Sequence, residues 1–265
     1  MDSNFFDRVH SFSKAKIKII EVLTLGFCVK SFIFIYNLTE RNSKKSPRIW
    51  RTQMVNTRDA FDWNLFLRQF SRDLLARLED SEFTNLPSEI INTKWLGYPG
   101  ATDTEISTVE ARLETTLPPS YRNFLAASNG WQKLDNMIDR LLSTQEIDWL
   151  ASRNQELIDG WMTGIEIEGG YTPVPDEEYF VYGDEQDSTS LRNEYLQTTL
   201  EIGGDSNQGL LLLNPQIVSE NGEWEAWFFA NWLPGAQRYR SFYELMQDKH
   251  KRLLELPKLR EIPNS

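Results

Sequence analysis

Between Asp59 and Asp80 the apolar residues Trp63, Phe66, Leu67, Phe70, Leu74 and Leu78 fall along one helical stripe, with Arg68, Arg72, Asp73 and Arg77 on the remaining surface. Recurrence at three- and four-residue spacing predicts an amphipathic helix docked on a core. Leu86-Pro87 to Gly100 reads as a loop-rich bridge with Trp95 as its anchor. Thr102 and Glu105 then stand in capping-box spacing, where each side chain satisfies a backbone N–H of the first turn. The helix they open carries Ile106, Val109 and Leu113 on its apolar side and Glu110, Arg112 and Glu114 elsewhere. Pro118 stops it, because the residue before a proline is pushed out of the α region. Pro119 suits the first position of a second helix, whose apolar face is Tyr121, Phe124 and Leu125. Asn129-Gly130 closes that helix with a residue tolerant of positive φ.

Beyond Trp131 the pattern predicts shorter, mixed elements. Ser143 and Glu146 repeat the capping spacing, which predicts a helix from about Thr144 to Asp159. From Trp161 the period changes to two: Ile165 and Ile167 alternate with Glu166 and Glu168, Tyr179 to Tyr182 forms an aromatic run, and Leu196, Thr198, Leu200 and Ile202 alternate again. Gln216 to Phe229 reads as a hairpin around Asn221-Gly222, with a two-residue type I′ turn. Ser241 and Glu244 cap a last helix with Phe242, Leu245, Met246, Leu253 and Leu254 facing inward, ended by Pro257. The strands are expected to be mainly antiparallel.

Composition agrees without adding a fold. The 265 residues are 40% hydrophobic and 12% aromatic, ample for a core. Charge divides the chain more sharply. Residues 1–58 hold 11 Lys and Arg against 4 Asp and Glu, leaving 17 basic and 35 acidic residues in 59–265. A folded part with net charge −18 repels nucleic acid and attracts basic partners, although an acidic surface also serves solubility alone.

Ile17 to Leu38 is apolar, but Lys18, Glu21 and Lys30 interrupt it, so it is not read as a membrane span. It also lacks the short apolar core and small-residue cleavage site of a signal peptide. A cytoplasmic location is therefore expected. Arg41 to Arg51 reads as a basic linker with Pro47, and Met54 precedes the first patterned helix, so residues 1–53 are read as an extension outside the folded domain. Intact residues 1–53 on the native protein would overturn that.

The pattern Ile106-x3-Glu110-x2-Leu113-x3-Leu117-Pro118-x2-Tyr121-x2-Phe124-Leu125-x3-Asn129-Gly130 resembles the opening of the SUKH superfamily. That group includes regulators of yeast cell-wall synthesis and many bacterial toxin-immunity proteins. Gly203-Gly204-Asp205 through Gly209, followed by Leu210 to Leu213, is similar to the family's glycine-aspartate turn before a buried strand. Ser241-Phe242 with Leu245 resembles its closing helix. The resemblance runs from about Trp95 to Leu254, with Asp135 to Gln197 matching only loosely. It implies an α+β fold: a SUKH-like single domain with a mainly antiparallel mixed β-sheet flanked by helices, plus an N-terminal helical extension. The division expected is a basic, loosely attached extension (1–58), an N-terminal helix and bridge (59–94), the SUKH-like domain (95–256) and a tail (257–265).

Catalytic apparatus is sparse in the sequence. His10 and His250 are the only histidines, which gives no histidine-centred triad or zinc cluster. Cys28, the single cysteine, lies in an apolar run and reads as a buried thiol. No phosphate-cradling loop is present, and no cofactor or metal is expected. Two acidic features remain. Asp176, Glu177, Glu178, Asp184, Glu185 and Asp187 cluster around the aromatic run. They could serve as Ca²⁺ ligands, a glycosidase pair or a face for a basic protein, or form an ordinary solvated loop. Asp205-x-Asn207-x-Gly209 lacks the later ligands of a calcium loop and reads as a turn held by Asp205. Trp224, Trp227, Trp232, Tyr239 and Tyr243 are candidate interface anchors wherever they are exposed.

The resemblance implies a non-enzymatic module like an immunity protein, and the acidic balance points to its binding a basic toxin through Glu166, Glu168, Asp176, Glu177, Glu178, Asp184, Glu185, Asp187 and Asp205. An intracellular regulatory scaffold and a carboxylate-dependent hydrolase using the Asp176 to Asp187 segment are the alternatives. No nucleic-acid partner is expected, and the sequence does not determine oligomeric state.

Overall fold

The computed structural model describes residues 61–262 except 168, 171, 206–208 and 231, together with the backbone of Arg48–Trp50; the side chain of Asp205 is outside the described part. The readings of residues 1–47 and 51–60, including Cys28 and His10, lie outside the described residues.

The architecture is α+β. Five strands form an antiparallel path in the order β2 (Asp148–Trp149), β3 (Leu200–Asp205), β4 (Gly209–Ser219), β5 (Trp224–Phe229) and β6 (Ala236–Tyr239). A short strand β1 (Arg48–Trp50) pairs in parallel with Ile217–Ser219 of β4, beyond the stretch that pairs with β3. Period-two alternation sends Leu211 and Leu213 to one face and Leu210 and Leu212 to the other. Both faces are covered, which is why Leu210 to Leu213 is a continuous apolar run.

The larger core layer holds α1 (Trp63–Leu75), α4 (Asp103–Arg112), α5 (Pro119–Ala127) and α8 (Phe242–Glu255), with the short α2 (Asp80–Thr84) and α3 (Ser88–Thr93) between the first two. Asp62 caps α1 by accepting from Leu65 N, and Trp63, Leu67, Phe70 and Leu74 are buried as the stripe predicts. The Thr102–Glu105 capping box forms in both directions, at 3.2 and 2.8 Å. At the double proline, Ser120 ties three elements together. Its N and Oγ donate to Glu223 at 2.8 and 2.6 Å, and its Oγ accepts from Tyr243 N at the start of α8.

The opposite face carries α6 (Leu150–Ile167), the 3₁₀ turn Asn193–Thr198 and a segment reaching it through α7 (Asp176–Tyr179) and the 3₁₀ turn Gly183–Glu185. Several sequence expectations are corrected here. Glu146 accepts from Ser143 N and Oγ, one half of the expected box, but only a turn follows, because Asp148 and Trp149 pair with β3 before the helix starts. That helix then runs on to Ile167, so Ile165 and Ile167 belong to a helix, restarted at Asn154, whose Oδ1 accepts from Leu157 N. Tyr179 to Tyr182 is a helical turn and an extended link, not a strand, and β3 begins only at Leu200. Among glycine turns, Gly222 has φ +79 while Asn221 does not enter the positive-φ region, so the hairpin closes with three residues, not a type I′ pair. Leu254 is 48% exposed, turned away from the core.

The glycine-aspartate turn has a steric cause. The Arg140 carbonyl lies 2.7 Å from where a Cβ on Gly203 would stand, because Leu141 bridges to this strand from outside the sheet. Gly204 adopts φ +147 against the Gly209 carbonyl. Both positions exclude a side chain.

Candidate functional site: an acidic strap on buried arginines

Val174 to Gln186 lies across the second face of the sheet as a strap. Its fixation begins in β5, where Glu225 alternates onto the same face as Trp227 and Phe229 and is 1% exposed. A buried carboxylate requires donors, and Glu225 has four. Tyr179 Oη (2.6 Å), Trp227 Nε1 (2.7 Å) and Asn214 Nδ2 (3.0 Å) donate to Oε2, while Tyr182 Oη (2.8 Å) donates to Oε1. Two of those donors belong to the strap. Burial first, then the Glu225 charge, push both tyrosine hydroxyls far above their ordinary pKa, so they remain protonated donors.

Arg238, on β6, is fully buried and pairs in register with Trp227, on the same face as this carboxylate. Its Nη1 donates to the Tyr179 carbonyl, and its backbone N and O bond the Gln186 side chain at 2.7 and 3.1 Å. Its Nε and Nη2 reach no acceptor among the described residues. Aromatic faces compensate: the guanidinium carbon is 4.4 Å from the Tyr179 ring centre and 5.7 Å from that of Tyr182. Arg192, 7% exposed, also lies over Tyr179 at 4.5 Å, donates twice to the Val174 carbonyl and pairs with Asp176. Arg240 lies over Tyr182 at 4.8 Å and pairs with Glu244 of α8. Cation–π contacts thus run Arg192, Tyr179, Arg238, Tyr182, Arg240.

The predicted acidic residues divide around this assembly. Glu177, Glu178, Asp184 and Glu185 are exposed on the strap and have no partner among the described residues. Asp176 is half-buried and pairs with Arg192. Asp187 is exposed with Oδ1 accepting from Thr189 N and Oγ1. Glu166 is exposed at the end of α6, the layer linked to the strap's neighbourhood through the Trp161–Asn193 hydrogen bond of 2.7 Å. Glu168 and the Asp205 side chain lie outside the described residues. Among the described residues, no three of His, Cys, Asp and Glu gather as a metal would require.

The aromatic candidates divide as well. Trp224, Trp227 and Tyr239 are core residues, whereas Trp232 (54%) and Tyr243 (37%) are exposed. His250 joins α8 to α1, 2.8 Å from Asp73 and packed against Phe66 and Phe70. The buried layer of Glu225, Arg238, Arg192 and Asn214 escapes sequence reading, since polar residues in strand alternation signal a solvated face. Tyr179 and Tyr182 meet at Glu225 although the helix ends at Tyr179, so their spacing alone does not announce the shared acceptor.

No helix among the described residues is long and apolar enough to cross a membrane. No curated protein matches the chain. Residues 100–248 match the SMI1 / KNR4 family (SUKH-1), so a sheet face capped by α6 and the strap, opposite a layer that includes α4, α5 and α8, belongs to a member of that family.

Proposed function

We propose that this chain is a non-enzymatic protein-binding module of the immunity type, which neutralises a cognate toxin by covering a basic surface with the acidic strap. One observation carries the reading. The strap turns Glu177, Glu178, Asp184 and Glu185 outward, while the guanidinium groups of Arg192 and Arg238 beneath it are engaged inward with tyrosine rings and carbonyls. With net charge −18 over 59–265 behind it, such a face accelerates encounter with a basic protein and repels acidic ones. Asp187, next in sequence to the strap, is exposed as well.

Co-expression with the protein encoded by the adjacent reading frame tests this. The proposal expects that cells expressing that protein alone stop growing, that this chain restores growth, and that changing Glu177, Glu178, Asp184 and Glu185 to Lys abolishes both rescue and co-purification. Rescue that survives this charge reversal would refute the role of the strap. Absence of any complex with the neighbouring product would refute the immunity reading.

A further inference from the structure

We propose that Glu225 and the alternating Arg192, Tyr179, Arg238, Tyr182 and Arg240 side chains form a clamp that fixes the strap in one presentation, so that the buried Glu225, Arg192 and Arg238, remote from the partner, set how well the strap binds it. The partner half of this statement rests on the proposed function; the clamp itself does not. The strap has little to hold it otherwise. Of its residues only Tyr179 is fully buried, and its regular structure is one four-residue helix and one three-residue 3₁₀ turn. Isolated turns of that length do not persist in water.

A set of long-range hydrogen bonds ties the strap to the clamp or to its backbone, and the Tyr179 ring also meets Tyr195 at 6.2 Å. Val174 O and Asp176 bond Arg192, Tyr179 O bonds Arg238 Nη1, the Tyr179 and Tyr182 hydroxyls bond Glu225, and the Gln186 side chain bonds the Arg238 backbone. Glu225 is the one carboxylate beneath the strap held by both tyrosines, and Arg238 takes the carbonyl between them. With Nε and Nη2 lacking acceptors among the described residues, the Arg238 guanidinium rests on the two rings, so ring position and guanidinium position determine each other. Removing one member should release the strap locally while leaving the opposite core layer intact.

Amide hydrogen exchange on the free protein reads this directly, because the amides of Glu178, Tyr179, Phe180 and Gln186 are all hydrogen-bonded within the strap. In Glu225→Gln and in Arg238→Met, these amides should exchange at least about tenfold faster than in the wild type, with amides of α1 and α8 within about twofold. Equal acceleration everywhere would mean that these residues only support global stability, and unchanged strap exchange would mean that the clamp does not hold it; either result overturns the proposal. Should either variant fail to fold, Tyr182→Phe removes one hydroxyl donor and keeps the ring, and should accelerate the same amides selectively. A fourth variant, with Glu177, Glu178, Asp184 and Glu185 changed to Gln, should leave strap exchange unchanged. If a clamp variant frees the strap yet binds the neighbouring-frame protein with wild-type affinity, the link between strap order and binding is refuted. If neither wild type nor variant binds that protein, the immunity reading fails and the exchange result still decides the clamp.

Discussion

Ser120→Ala removes the hydroxyl that joins the turn of the β4–β5 hairpin to the starts of α5 and α8, and its cost can be worked from the contacts. The Ser120 Oγ donates to Glu223 Oε2 at 2.6 Å, a bond to a charged acceptor in a half-buried site, worth about 1.5–3 kcal/mol. Its acceptance from Tyr243 N is long, 3.3 Å, and adds about 0.5 kcal/mol. The backbone N of Ser120 keeps its bond to Glu223 Oε1, and Ala returns up to roughly 0.5 kcal/mol of helix propensity. The expected loss is about 2 kcal/mol at neutral pH, a substantial part of a domain's stability. The pH dependence has a definite sign. Burial raises the Glu223 carboxyl above the usual range despite the Ser120 hydrogen bonds that lower it. The folded state therefore binds that proton more tightly, and the group favours folding most below its unfolded pKa, an advantage lost as pH rises through the folded value. Ser120→Ala takes away one bond that holds the pKa down, so the substitution should cost more at neutral pH than in acid. Urea unfolding near pH 7 and near pH 4 measures both. A loss below about 0.5 kcal/mol, or a larger loss in acid, would refute the reasoning.

Asp73→Asn should weaken the acid dependence of stability. Burial raises the Asp73 pKa, but hydrogen bonds from Gln69 and His250 and the charges of His250 and Arg77 outweigh it, leaving the group below its ordinary value. Its stabilisation is thus present above the unfolded pKa and lost as pH falls through the folded one, which a series of thermal midpoints on the acid side would record. Gly130→Ala should cost about 1–3 kcal/mol in denaturant unfolding, because Gly130 has φ +102 and a Cβ would stand 3.1 Å from the Leu141 carbonyl.

Legibility in the sequence followed locality. The α1 stripe, the Thr102 box, the Pro118-Pro119 break and the Ser241 cap are decided within one or two turns, and the structure contains all four. The α6 region misled because Ile165-Glu166-Ile167 alternates over three residues. Leu157, Ile158, Trp161, Met162 and Ile165 carry the longer helical period that wins. The strap misled for a different reason. Its aromatics look like strand residues until Glu225, 43 residues beyond Tyr182, supplies the common acceptor. Burial of Glu225 and Arg238 is set by what folds over them, and no nearby residue announces it.

The most direct measurement of the central claim is the association rate with the neighbouring-frame protein over a range of salt, for the wild type and for the variant with Glu177, Glu178, Asp184 and Glu185 changed to Gln. The acidic-strap account predicts a wild-type rate that falls steeply with salt, a variant slower by about tenfold at low salt, and convergence at high salt, with thermal stability unchanged. Equal rates with no salt dependence would contradict it.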